Sequence, residues 1–254
     1  MVKVIRNRIL SSVAAGCFLL ASFAFCGMSA AQPVNWGLKP GKDGGLPVAN
    51  PQGVELLKKY GGCYLGDTAK KEVFLTFDLG YEAGFTAEVL DILQKHNIRA
   101  IFFLCGHYLN EGELVARMIG EGHAIGNHTD KHRDLPTLDE AGIRKDIVDF
   151  NTKFNAKYSA TIKHFRPGKG RFDERTLRIA REEGLKTVMW SNAIVDWGKA
   201  PIDATASSAK VISRVHPGAI MLFHISNSGM PRMLEIMIPQ LLELGYTFGD
   251  AGGL

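Results

Sequence analysis

The segment VFLTFDLG, residues 73–80, is a run of aliphatic, aromatic and β-branched residues that ends in a carboxylate and a glycine. Such a run predicts a buried strand. In the following segment, 86–96, Val89, Leu90 and Leu93 have helical spacing, so a helix is expected after the strand. The same succession of an apolar run and an amphipathic segment continues to the end of the chain.

Seven strands are predicted in all. The further six are at residues 100–104, 124–125, 164–166, 186–190, 219–223 and 246–248. The helical patterns between them cover residues 113–120, 138–158, 173–183, 206–215 and 231–244. A helix after every strand but the last favours an α/β fold with a parallel sheet closed into a barrel. The active site of such a barrel lies at the carboxyl ends of its strands.

Polar side chains suited to catalysis follow five of the predicted strands. In chain order they are Asp78, the pair His128 and His132, Arg166, Asp196 and His224. Two histidines four residues apart can converge on one metal ion, although this pair lacks the glutamate of an H-E-x-x-H metalloprotease. Each feature alone has a structural explanation, such as a turn or a core histidine. Together at one face of a barrel they predict a metal-assisted hydrolase site with a base and an acid.

The first 31 residues have the layout of a secretory signal peptide. Three basic residues precede an apolar run at 9–25, and small residues come before residue 31. An uncleaved membrane anchor is the second interpretation, and lipidation at Cys17 is the third. All three place the domain outside the cytoplasm, as a secreted or cell-envelope protein. With the favoured cleaved peptide no membrane contact is expected, and an uncleaved anchor is the membrane contact considered.

Charge and composition exclude several classes of protein. The 254 residues are 46% hydrophobic and 22% charged, as in ordinary globular domains. The net charge is +4, but Lys3, Arg6 and Arg8 contribute three of these charges, which leaves +1 after the signal peptide. A nucleic-acid partner is therefore not expected.

Residues 32–70 are rich in proline and glycine and predict an extended arm before a catalytic domain at 71–254. Trp36 is a candidate anchor of this arm on the domain surface. Two cysteines remain outside the signal peptide, Cys63 and Cys105. A buried free thiol at Cys105 is favoured, and a disulfide between the two cysteines is the alternative.

Five short motifs, TFDLG, HTDKH, RPGKG, DW and LFH, occur in this order at the strand ends. With them the sequence resembles the polysaccharide deacetylase family, carbohydrate esterase family 4, over residues 71–250. The longer variants TFDLGYEAG and HPGAIMLFH are most similar to the branch of muramic acid de-N-acetylases that form the δ-lactam of spore-cortex peptidoglycan. The resemblance implies an irregular (β/α)7-type barrel with parallel strands.

The resemblance also implies a reaction, the hydrolytic de-N-acetylation of amino sugars in peptidoglycan glycan strands, with N-acetylmuramic acid favoured. Asp78 is expected to be the general base and His224 the general acid. Asp196 would keep His224 protonated, and Arg166 would hold Asp78 ionised. Two alternatives remain open: a deacetylase of N-acetylglucosamine in peptidoglycan or chitin-like oligomers, and a catalytically silent glycan-binding module.

For the metal and the substrate pocket, the resemblance assigns His128 and His132 to a divalent cation, zinc or another. Trp197 and Leu222 are expected to wall the acetyl pocket. Most members of the family carry a second aspartate directly after the first, and here Leu79 stands in its place. The cation is therefore expected to be weakly held, or completed by another oxygen from Asp78 or from Glu82.

Overall fold

The computed structural model describes residues 32–41, 44–198 and 200–254, and the predicted signal peptide lies outside them. The strands are β1 (Val34–Asn35), β2 (Leu38–Lys39), β3 (Val48–Ala49), β4 (Glu72–Leu79), β5 (Ile101–Leu104), β6 (Ala124–Asn127), β7 (His164–Phe165), β8 (Arg171–Phe172), β9 (Lys186–Thr187), β10 (Asn192–Ala193), β11 (Ala219–Phe223) and β12 (Thr247–Phe248). The helices are α1 (Pro51–Lys59), α2 (Thr86–Lys95), α3 (Gly112–Gly120), α4 (Glu140–Tyr158), α5 (Glu174–Glu182), α6 (Ala204–Ile212) and α7 (Met230–Glu243). Among the described residues, no helix combines the length and apolarity that crossing a membrane requires.

The central sheet is parallel and curls into a barrel-like half-cylinder, which confirms the predicted fold class. Its strand order is β10-β11-β4-β5-β6-β7-β9, and β12 pairs with the start of β4. Strand β4 lies in the middle, with Phe77 opposite Phe223 on one side and Phe102 on the other. Apolar faces of α2, α3, α4 and α7 join the sheet in the main core, because their buried residues recur at helical spacing.

The segment 186–193 connects the two edges of the curved sheet, because it pairs with a different strand at each end. Its first part, β9, is hydrogen-bonded to β7, and its last part, β10, is hydrogen-bonded to β11. The space that remains between β9 and β11 is bridged by Cys63, which pairs with Val188, and by Leu65, which pairs with Ala219. The strand expected at 186–190 is therefore shorter, Lys186–Thr187, and a second short strand, Asn192–Ala193, follows it with a different partner.

Residues 32–70 pack into the fold and differ from the extended arm that their composition predicts. Helix α1 begins after Asn50, whose side chain accepts a hydrogen bond from the Gly53 N–H, and a proline occupies its first turn. Strand β1 pairs antiparallel with β8. Trp36 is buried against Phe172 and Tyr64, and its indole N–H donates to the Trp190 carbonyl at 3.0 Å. The described residues thus form one compact unit.

Both cysteines of the described region are free, as favoured from the sequence. Cys63 is in the bridge to Val188, beside the start of the 186–193 segment. Cys105 directly follows β5, at the carboxyl end of the strands. Cys63 therefore lies next to β9, whereas Cys105 lies at the carboxyl end of β5.

Trp36→Ala is expected to lower the free energy of unfolding by about 3 kcal/mol, because it removes a large buried side chain and leaves a cavity. Urea denaturation followed by circular dichroism measures this loss. The matched control is Val48→Ala in the same segment, where the side chain is largely exposed and a loss below about 0.5 kcal/mol is expected. A loss in Trp36→Ala as small as that in the control would mean that burial of Trp36 adds little to the free energy of unfolding.

Candidate active site

The carboxyl ends of β4, β5, β6, β10 and β11 surround a cleft of about 980 Å³. Five of the side chains selected from the sequence line it: Asp78, His128, His132, Trp197 and His224. Arg166 and Asp196 are fully buried and contact the lining residues from behind. Leu222 is buried in β11 and is not part of the lining, where Ile225 and Ser226 stand instead.

Arg166 is a fully buried guanidinium at the centre of this arrangement. Its Nη1 donates to Asp78 Oδ1 and to Thr76 Oγ1, each at 2.8 Å, and its Nε donates to the Val188 carbonyl at 2.8 Å. The guanidinium carbon lies 4.2 Å from the centroid of the Phe103 ring. These contacts fix both the position and the charge of the side chain.

The charge of Arg166 determines the protonation of Asp78. Burial by itself raises the pKa of Asp78, but the Arg166 charge, helped by the neighbouring histidines and the hydrogen bond, outweighs it. The pKa of Asp78 therefore lies below its ordinary value, and the carboxylate is ionised at neutral pH. Its second oxygen, Oδ2, lies 3.5 Å from His128 Nε2.

The histidine pair is presented by a loop in an uncommon backbone conformation. Thr129 and His132 have φ of 71° and 51°, in the left-handed region that non-glycine residues rarely adopt. The loop is held by two hydrogen bonds, from the Thr129 N–H to Asn127 Oδ1 and from the His132 N–H to Thr129 Oγ1. Strain kept in place by such contacts is typical of functional sites.

The two imidazoles are suited to bind a cation. His128 Nδ1 contacts the Arg166 carbonyl at 2.9 Å, and since a carbonyl only accepts, Nδ1 is protonated and Nε2 keeps its lone pair. The His132 ring centroid lies 5.0 Å from that of His128. Burial lowers the pKa of both rings, that of His132 to about 4, so both are neutral at neutral pH.

His224 is paired with a buried carboxylate. Its Nδ1 lies 2.9 Å from Asp196 Oδ1, and its backbone N–H donates to Asp196 Oδ2 at 2.7 Å. Burial lowers the pKa of His224, but the hydrogen bond and charge of Asp196 outweigh this effect, and the pKa is raised above its ordinary value. The ring nitrogen left for a substrate is Nε2, on a residue that lines the cleft.

The sequence predicts that another oxygen, from Asp78 or from Glu82, completes the cation site beside the histidines. Glu82 instead accepts hydrogen bonds from Thr86, the first residue of α2, and from the Tyr108 hydroxyl. Leu79 is buried in the main core. The residue that does lie beside the pair is Cys105, whose sulfur and one nitrogen from each ring all lie within 4.8 Å of one another. Two neutral imidazoles and a thiol fit a divalent cation.

Two other residues of the site were missed from the sequence. Thr76 precedes Asp78 by two positions on β4 and therefore faces the same way, which is the one available signal. Tyr81 lines the cleft with its side chain 60% exposed, close in sequence to the TFDLG motif. Like Trp197, which is 63% exposed, it offers an aromatic face to the solvent side of the cleft.

Comparison with known proteins identifies the family. A family model described as polysaccharide deacetylase matches residues 65–188. The chain is 38% identical over 224 residues to the peptidoglycan-N-acetylmuramic acid deacetylase PdaA of Bacillus subtilis, which covers 85% of this chain and 84% of PdaA. The protein belongs to the polysaccharide deacetylase family. The resemblance found from the five motifs is confirmed.

Other members of the polysaccharide deacetylase family agree in fold and sequence. The solved structure of B. subtilis PdaA, a family 4 carbohydrate esterase, superposes with a TM-score of 0.81 at 37% identity and covers 85% of this chain and 94% of the other. A peptidoglycan-N-acetylglucosamine deacetylase of Bacillus cereus is 34% identical over 197 residues, 76% of this chain and 71% of that protein. The irregular (β/α)7-type barrel is thereby confirmed.

Arg166→Met is expected to cost about 3–5 kcal/mol of unfolding free energy at pH 7, because it leaves the buried Asp78 carboxylate without its partner. The loss should shrink toward pH 4, where an unpaired Asp78 takes up a proton. Urea unfolding at the two pH values measures it. The control Arg178→Met removes surface ion pairs to Glu140 and Glu182 and should cost less than about 1 kcal/mol. A loss independent of pH would contradict the role of charge.

Asp196→Asn is expected to lower the pKa of His224, because the carboxylate is the main group that favours the imidazolium. The wild-type pair stabilises the fold fully below the ordinary histidine pKa, and that stabilisation is lost as the pH rises through the raised pKa. Nuclear magnetic resonance titration of the His224 ring protons measures the shift. The exposed Asp67 provides the control variant Asp67→Asn, which should leave the titration unchanged, and an unchanged titration in Asp196→Asn would refute the assignment.

Proposed function

We propose that the protein hydrolyses the N-acetyl group of peptidoglycan amino sugars, with N-acetylmuramic acid as the favoured substrate. The observation that carries the proposal is the placement in one cleft of two side chains: Asp78, hydrogen-bonded to Arg166 at the end of β4, and His224, hydrogen-bonded to Asp196 directly after the neighbouring strand β11. A relative 38% identical over most of both chains is a peptidoglycan-N-acetylmuramic acid deacetylase. An acid and a base of opposite charge at the end of one barrel are what hydrolysis of an amide requires.

In the proposed reaction, Asp78 takes a proton from the attacking water while the water oxygen forms a bond to the carbonyl carbon of the acetyl group. Arg166 keeps the carboxylate ionised and fixed in direction. His224 donates a proton from Nε2 to the sugar nitrogen, the C–N bond breaks, and acetate and a free amine leave. Asp196 stabilises the imidazolium that makes this donation. Asp78 thus acts as the base, whereas Asp196 stabilises the protonated form of the acid, His224.

A divalent cation, zinc or another, held by His128 and His132 would polarise the acetyl carbonyl when bound. Support for the pair comes from its neutral rings and from the Nε2 lone pair of His128. Leu79 cannot coordinate, so the two histidines need a further ligand to hold the ion tightly.

Aromatic side chains at the open side of the cleft support binding of a glycan strand. Tyr81 and Trp197 expose most of their rings there, and sugar rings stack on such surfaces. Leu222 is buried in β11, the strand that His224 directly follows. With a charge of +1 after the predicted signal peptide, recognition depends on these local contacts more than on long-range attraction.

Export is part of the proposal. The tripartite pattern of residues 1–31 supports a cleaved signal peptide, followed by residues 32–70 and a catalytic domain at 71–254. A peptidoglycan substrate lies outside the cytoplasmic membrane, so secreted or cell-envelope action agrees with the same choice of substrate.

Purified protein incubated with peptidoglycan is expected to release acetate, and His224→Ala to reduce the rate by about 10²–10⁴-fold through loss of the general acid. Acetate is measured enzymatically, and mass analysis of digested muropeptides identifies the deacetylated sugar. The control His96→Ala changes a histidine at the end of α2 that is not in the cleft lining and should keep full activity.

The product separates the alternatives. A mass loss that corresponds to replacement of one acetyl group by hydrogen is expected on muramic acid. The same loss on glucosamine would favour the N-acetylglucosamine deacetylase. No acetate from any glycan, with or without added divalent metal, would favour the silent glycan-binding module.

A further inference from the structure

We propose that Cys105 is the third protein ligand of the cation held by His128 and His132, a position for which Leu79 offers no donor atom. The inference rests on the proposed function for the presence of a cation at this site. It adds that the donor set is one sulfur and two nitrogens, and that the cation is therefore of the zinc type.

The backbone fixes Cys105 beside the histidine loop. Its N–H donates to the Leu79 carbonyl at 2.9 Å, and the next N–H, of Gly106, contacts the carbonyls of Thr129 and Asp130, each at 3.1 Å. The His128 N–H in turn donates to the Leu104 carbonyl at 2.9 Å. The thiol and the rings are therefore held on directly bonded neighbouring segments.

Gly106 makes this close approach sterically feasible. A Cβ at that position would lie 2.0 Å from Asp130 Oδ1 and 2.7 Å from the Asp130 carbonyl oxygen. Any larger residue would push the Cys105 segment away from the histidine loop. The glycine directly after the cysteine thus sets the distance between the sulfur and the two rings.

The oxygen donors near the thiol are largely engaged by other groups. Asp78 Oδ1 accepts from Arg166, both oxygens of Asp130 accept from Lys153 at 2.6 and 2.7 Å, and Asp78 Oδ2 lies 3.5 Å from His128 Nε2. The Cys105 thiol donates to the His128 carbonyl at 3.5 Å and therefore lies against the histidine loop. It lines the cleft together with both histidines.

The chemistry of this donor set selects the cation. Thiolate and imidazole prefer zinc or cobalt(II), whereas magnesium and calcium prefer oxygen ligands. On coordination the thiol proton passes to solvent and a sulfur–metal bond forms, with no change in oxidation state. Three protein ligands leave a position free for substrate or water, as in catalytic zinc sites.

Cobalt(II) reports on the sulfur directly, because a thiolate bound to it gives an intense near-ultraviolet charge-transfer band. Purified, reduced protein titrated with CoCl2 without oxygen should develop this band to one equivalent. The matched control Cys63→Ser, the other free cysteine, should behave identically. Cys105→Ser should lack the band and bind Zn²⁺ at least about tenfold more weakly in competition with a chromophoric chelator.

A second variant, Cys105→Asp, should restore Zn²⁺ affinity without the band, and circular dichroism verifies that each variant is folded. A wild-type protein that binds cobalt without the band, or binds none, overturns the proposal. Acetate release is measured on the same samples. Acetate without the band refutes the ligand set alone, whereas the band without acetate supports the ligand set and refutes the proposed function.

Discussion

The buried guanidinium of Arg166 is the group on which the rest of the site depends. It lies at the end of β7, yet its hydrogen bonds reach Thr76 and Asp78 on β4 and the Val188 carbonyl in the segment that closes the curl. A buried guanidinium is tolerated only when its N–H groups have hydrogen-bond acceptors and a counter-charge is present. The same contacts that meet this requirement tie distant strands together and set the direction of the Asp78 carboxylate.

The two charged pairs of the cleft, Arg166 with Asp78 and Asp196 with His224, use burial in opposite ways. At Asp78, a positive partner overcomes the effect of burial and keeps a carboxylate negative, whereas at His224 a negative partner overcomes it and favours a positive ring. The histidines at 128 and 132 face no such partner of sufficient strength and remain neutral. Three kinds of protonation state thus coexist within one cleft because each side chain has a different neighbour behind it.

Much of this was accessible from the sequence where periodicity was strong. Strand β11 begins and ends where predicted, at Ala219 and Phe223, because its apolar run is bounded by Gly218 and His224. The helix Pro51–Lys59 is not predicted from the sequence, because proline and glycine in 32–70 indicate extended chain, whereas in the structure Asn50 and Pro51 form a helix start. Strand β10 pairs for two residues only, and such pairing depends on a neighbour, which a sequence pattern does not show.

The same limit applies to the candidate site. Side chains that directly follow strands were found, since their place is set by the order of elements. Leu222 is predicted to wall the pocket, but it is buried within β11, and Ile225 and Ser226 line the cleft instead. Cys105 lies beside the histidines because the next residue, Gly106, is hydrogen-bonded to the loop at Thr129 and Asp130. Spacing along the chain does not indicate such a contact.

The bridges at Cys63 and Leu65 also bear on how the protein folds. The partners of β1, Cys63 and Leu65 lie in β8, in the segment 186–193 and at Ala219, all far later in the chain. Pairings of such long sequence separation are slow to form, since the loop-closure entropy is lost before any contact is gained. A chain that emerges amino terminus first therefore cannot close its barrel until β11 has appeared, so the contacts of β1, Cys63 and Leu65 with the barrel form only after most of the chain is present.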